Sequence, residues 1–258
     1  MRLMRNGRAV AEPRCWLGLI AAAVLMAVAA PSQAQPPHPS GDMTGVWTGW
    51  GDQTPPQYRS TPYPIKAPFT PGGLAKSKFY EDPRNNLGSR CLPAGGPGGM
   101  MNPRSFYPME VIHKENQITI IFELMEKVRR IYLDGRKHPD DVERSWMGHS
   151  IGRWDGDTLV VHTVGVKGGV LNGAGSAVVP LAHDVEPRMP YSEAMELTER
   201  LRLLEGGKIL QSRITIVDPK FYTEPLQFTR YWRRAPEVEM MEYVCAENLR
   251  PDLEGTPR

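Results

Sequence analysis

From Phe106 onward, apolar and polar residues alternate in short runs separated by turn residues. Phe106–His113, Gln117–Leu124 and Lys127–Leu133 read as strands, the first two joined by Lys114-Glu115-Asn116. The second is rich in β-branched residues, which suit a pleated surface. Two strand-forming runs then flank Asp155-Gly156, a strong hairpin signal because both central residues of a type I′ turn need positive φ. With Asp155-Gly156 as a two-residue loop, His149 faces His162. Side chains alternate across a sheet, so Met147, His149, Ile151 and Arg153 share a face with Thr158, Val160, His162 and Val164. The opposite face carries Trp146, Trp154, Leu159 and Val161. Ala194–Leu204 and Lys208–Val217 form a second hairpin around Glu205-Gly206-Gly207. There Glu199 shares an apolar row with Met195, Leu197, Leu201 and Leu203, which predicts that it points inward. Leu226–Arg233 and Glu237–Cys245 follow as the last strands.

Hairpins in sequence without intervening helices predict an all-β, antiparallel up-and-down meander. Such a sheet hides its edges most simply by closing into a barrel of roughly eight to ten strands. A two-sheet sandwich is the alternative. Residues 43–105 make an irregular N-terminal arm. Met43–Trp50 is a first strand, Asp52–Thr70 a Pro-rich extended arm, and Asp82–Arg104 a long loop. Thr70–Tyr80 predicts one short helix, with Thr70 as N-cap and Pro71 at the first helical position. Residues 106–250 form the barrel and 251–258 a disordered tail. Lys167–Tyr191, with His183, is either a mouth loop or a plain connection.

The first 34 residues change the picture of where the chain works. Arg2, Arg5, Arg8 and Arg14 precede an apolar run from Cys15 to Ala30, and Ser32-Gln33-Ala34 fits a cleavage site before Gln35. The run is short for a membrane span of about 20 residues. The expectation is a signal peptide over 1–34, a disordered leader over 35–42, and an exported protein, periplasmic or secreted, with no stable membrane anchor after cleavage. Removing the signal takes four Arg and one Glu, so the formal charge falls from +2 to −1. No basic block with interleaved aromatics points to nucleic acid. Two cysteines remain, Cys91 and Cys245. In an oxidising compartment they predict one disulfide, with a reactive thiol pair as the alternative.

The candidate chemistry gathers on the strands. His149 and His162 suit proton transfer, because imidazole titrates near neutrality. A structural or outward-facing role is the first alternative, and a metal the last, because two imidazoles alone make a poor zinc site and Glu199 or His138 would have to complete it. Glu199 in an apolar row needs a partner, for which Arg130, Arg153 and Arg213 are candidates. Tyr132, Asp134, Arg136 and His138 lie at and beyond a strand end, where they line a barrel mouth or cap a turn. No nucleophile-elbow, zinc-protease, P-loop or dinucleotide motif is present. No metal and no cofactor is expected.

Thr44-Gly-Val-Trp47, Arg90-Cys91-Leu-Pro, Arg130-Ile-Tyr-Leu-Asp-Gly-Arg136 with His138-Pro139, and Trp146 to Val161 together resemble a family of exported bacterial proteins without an assigned reaction. Thr198-Glu-Arg200, Thr215 to Pro219 and Met241 to Cys245 extend the resemblance. It implies export and, by analogy, a lipocalin- or calycin-like barrel. Against that pattern, His162 stands where Asp is usual, and Tyr191 and Glu196 stand where His is usual. Two functions follow as expectations. One is an exported barrel binding a small, mostly apolar molecule, with Arg130, Tyr132, Asp134, Arg136, His138 and Arg153 among its contacts. The other is an acid/base enzyme (a lyase, isomerase or hydrolase) on the same barrel, using His149, His162 and Glu199 from the inner face.

Overall fold

The computed structural model describes residues 41–85, 87–93, 96–97, 107–172 and 187–248. The signal peptide, residues 35–40 of the leader, His183 and the 251–258 tail lie outside the described residues. Among the described residues there are eleven strands and one α-helix. The strands are β1 (Gly45–Thr48), β2 (Met109–Lys114), β3 (Gln117–Phe122), β4 (Lys127–Tyr132), β5 (His149–Asp155), β6 (Thr158–Val164), β7 (Gly169–Val170), β8 (Pro190–Tyr191), β9 (Glu196–Leu204), β10 (Ile209–Val217) and β11 (Leu226–Arg234). Nine of them close into a barrel in the order β1-β11-β10-β9-β6-β5-β4-β3-β2, and β7 and β8 pair separately.

The fold is therefore an all-β barrel, but not antiparallel throughout. β4 and β5 run parallel, paired at Ile131 with Ser150 and Tyr132 with Ile151. A parallel pair cannot be joined by a hairpin. The chain crosses over through residues 133–148, and this strap is what the antiparallel expectation missed. Gly148 takes φ +64° where the strap re-enters the sheet, and a Cβ there would lie 2.6 Å from the Val164 carbonyl oxygen. Glycine suits that re-entry on both counts. Ser145 anchors the strap, its N–H donating to the Gly165 carbonyl and its carbonyl accepting from Lys167.

The β5–β6 turn also differs from expectation. Asp155 pairs with Thr158, so the two loop residues are Gly156 and Asp157, and Gly156 supplies the positive φ of +61°. His149 consequently lies opposite Val164, and His162 opposite Ile151. The slip is of two residues, so each side chain keeps the face predicted for it.

The helix α1 (Pro71–Glu81) begins as the sequence indicates. Thr70 Oγ1 accepts from Gly73 N at 3.1 Å, with Pro71 in the first turn. Glu237–Cys245, expected as a last strand, is irregular and ends in a short 3₁₀ turn. It returns the chain so that Cys245 bonds Cys91, Cα atoms 5.6 Å apart. Among the described residues no helix is long and apolar enough to cross a membrane.

Side chains fill the barrel's interior in three zones. At one end Trp47, Ile118, Ile120, Ile131, Leu159, Val161, Leu201 and Trp232 pack together with further apolar residues. At the other end Leu197, Ile214, Ile216 and Phe228 pack against Tyr63, Tyr191 and Tyr222 from the arm and loops. On β6, β9, β10 and β11 a polar residue, Thr163, Glu199, Ser212 and Arg230 respectively, occupies the inward row of these zones, and all four are buried. Arg129 of β4 and Ser150 of β5 join this polar layer.

Candidate functional site

The outer wall carries the histidines. On β5 and β6 the buried positions other than Val160 are Ser150, Leu159, Val161 and Thr163, all on one row, so the alternate row with His149 and His162 faces outward, where both rings are partly exposed. This corrects the expected inner-face placement. Both rows contain apolar residues, and Val160 on the outer row retains 9 % exposure although it faces away from the lumen. The lower charge of the row with Trp154, Leu159 and Val161 was the signal for the true interior, since the other row holds Arg153 and two imidazoles.

His138 comes down from the strap between them. Its Nδ1 lies 2.7 Å from His149 Nδ1, and its Nε2 lies 3.0 Å from His162 Nδ1. The far nitrogen of His162 is 3.5 Å from Glu196 Oε2 on the neighbouring strand β9. At the other end the Tyr132 ring lies 5.3 Å from the His149 ring, and the Arg136 guanidinium sits 3.8 Å above Tyr132. Asp134 holds Arg136 through a paired set of hydrogen bonds within the strap's first turn. The result is an ordered row, Glu196–His162–His138–His149–Tyr132–Arg136, across four strands and the strap. His138 turns a different nitrogen to each partner. Among the described residues, no three His, Cys, Asp or Glu side chains converge as a metal ion requires.

Burial lowers the pKa of His138, and the adjacent His162 and His149 lower it further, with Glu196 acting in the opposite sense. Burial and then the Arg136 charge lower that of His149. Both groups thus release protons on folding. Their stabilising contribution is complete above the unfolded histidine value of about 6.5 and is lost as pH falls below it. Melting temperature is expected to drop between neutrality and mild acid, and His138→Ala to flatten that slope. A slope identical in the two proteins, measured by thermal unfolding across that range, would show that the contact carries no proton linkage.

The remaining sequence candidates separate from this row. Glu199 is fully buried inside, bound to Arg129, and not to Arg130, Arg153 or Arg213. Arg130 and Arg153 are exposed on the outer wall, because each is out of phase with the buried positions of its strand. Glu199 therefore shares no cavity with His149 or Arg153, and the barrel wall lies between them. That geometry removes an acid/base pair made of His149 and Glu199. Arg129 was overlooked in the sequence, although it falls in register with the buried Ile131 two residues later. Glu196 likewise stood out in the sequence only as a departure from the family pattern.

Comparison with known protein families and with curated proteins finds no match. The reading of this site therefore rests on its own geometry.

Proposed function

We propose that this chain is an exported small-molecule-binding β-barrel protein, and that its ligand docks on the outer wall at His138, His149 and His162. The observation that carries this is the three-imidazole row, partly open to solvent and flanked by an aromatic ring and a guanidinium. Histidines whose only role is to hold a strap do not need three rings in mutual contact at the surface. Ile151 and Val164, both half-buried on the same row, supply apolar surface beside them, which suits a mostly apolar molecule oriented by a few polar groups. The lumen is a poorer candidate, because apolar clusters and the Arg129–Glu199 layer occupy it along the described strands. The disulfide supports export, since cytosolic thiols are kept reduced. The lipocalin-like relationship rests on the closed barrel together with the sequence motifs.

Native mass spectrometry of the protein purified from its own host tests both parts. The polypeptide is expected to begin at Gln35 and to carry an extra retained mass, lost in His149→Ala and in His162→Ala. A polypeptide that keeps residues 1–34 overturns the export part. A retained mass indifferent to both substitutions, or none at all, overturns the docking part.

A further inference from the structure

We propose that Glu196, His162, His138 and His149 form one directed proton relay whose open end, His149 Nε2, accepts the proton of a weakly acidic hydroxyl ligand, a phenol or an enol. The proposal rests on the docking site described above and adds the ligand's chemistry to it.

The direction follows from counting donors. A neutral imidazole carries one N–H and one lone pair, and a carboxylate only accepts. Glu196 therefore orients the N–H of His162 onto Nε2; at 3.5 Å it does so as a charge more than as a close hydrogen bond. His162 Nδ1 is left as an acceptor, and His138 Nε2, 3.0 Å away, must donate to it. His138 Nδ1 is then an acceptor for His149 Nδ1–H at 2.7 Å. The last lone pair falls on His149 Nε2, which has no protein partner among the described residues. With all three rings neutral and Glu196 ionised, any other arrangement puts two N–H groups or two lone pairs face to face at one of the contacts.

The transfer balances without a co-reactant. The ligand O–H bond breaks and an N–H bond forms at His149 Nε2. The Nδ1 proton of His149 passes to His138 Nδ1, and the Nε2 proton of His138 passes to His162 Nδ1. The ligand is left as an oxyanion and the positive charge rests on His162 beside the Glu196 carboxylate. Arg136 opposes a charge that stays on His149, and the same guanidinium favours the ligand oxyanion. Glu196 is a positioning residue here, since it reaches the ligand only through the rings.

Long-range proton–nitrogen NMR of histidine-labelled protein at neutral pH reads the tautomers without a ligand. The expected pattern is Nε2–H for His162 and His138 and Nδ1–H for His149. Finding His149 protonated on Nε2 overturns the relay. 4-Nitrophenol is the ligand probe, because its phenolate absorbs separately from the phenol. The protein is expected to raise the bound phenolate-to-phenol ratio roughly tenfold, one pKa unit. His149→Ala should abolish the rise, and the exposed, isosteric Glu196→Gln should reduce it and mix the His162 tautomers. Binding of the probe as neutral phenol only, or no binding, overturns the proposal. A retained host molecule that contains no acidic hydroxyl leaves the docking site standing and overturns only the relay's ligand.

Discussion

Glu199→Ala is expected to destabilise the barrel by about 3–5 kcal/mol, the cost of leaving one member of a buried ion pair without its partner. Both side chains are fully buried. Arg129 Nη1 donates to Glu199 Oε1 at 3.1 Å, and Nη2 donates to Oε2. Its other donors reach Ser150 Oγ at 3.2 Å, Thr163 Oγ1 at 3.0 Å and the Pro97 carbonyl at 3.3 Å. Removing the carboxylate takes from the buried guanidinium the anion that both of its Nη atoms face. Removing both charges with Arg129→Met and Glu199→Leu should restore most of the loss, because desolvation of the pair offsets much of its attraction. Urea unfolding with an unchanged slope measures both variants. A loss below about 1 kcal/mol for Glu199→Ala would mean that water reaches the pair.

Replacing Cys91 and Cys245 together by serine is expected to cost about 5 kcal/mol, the chain-entropy value for a closed loop of this size. The cysteines are 154 residues apart, so the bridge encloses nearly the whole barrel. It also fastens the irregular C-terminal segment beside a small cluster of Tyr80, Leu87, Leu124 and Val170, against which Tyr243 packs. Beside the disulfide, the segment is held by Met241 N–H donating to Glu123 Oε2 at 2.7 Å and by Tyr243 against Tyr107, not by strand pairing, so its loosening should come first. Hydrogen exchange is expected to rise at residues 237–248 in the serine variant, while β9 and β10 stay protected. An unchanged denaturation midpoint would show that the reduced, unfolded chain is already compact.

Several elements were readable directly. Leu197, Glu199 and Leu201 share the buried row predicted for them, as do Leu210, Ser212, Ile214 and Ile216 across the hairpin. Thr70 and Pro71 mark the start of α1 for local reasons, a side-chain oxygen reaching an N–H three residues on. Cys91 and Cys245 bond as the compartment argument predicted. Each of these depends on neighbours in sequence, on the pleat of a single hairpin, or on elimination.

The site was legible only in parts. His149 and His162 were placed correctly on one face, because a period of two survives a register error of two residues. The pattern says which side chains travel together but not which side is the lumen when both rows are apolar. That was decided by closure of the barrel, in which β5 pairs parallel to β4. Pairing of this kind depends on how the whole sheet closes, which no local run of residues records.

The sequence by itself determined the main hairpins, which side chains share a row, the helix start and the disulfide, since alternation, capping and cysteine pairing act over short range or by exclusion. Only the tertiary structure decided that Glu199 meets Arg129 across 70 residues of chain, and that His138 joins two imidazoles on the outside of the wall. Those contacts arise where distant segments are brought together by closure of the barrel. Burial then holds the charges of Arg129 and Glu199 against each other, while the strap sets His138 between two rings.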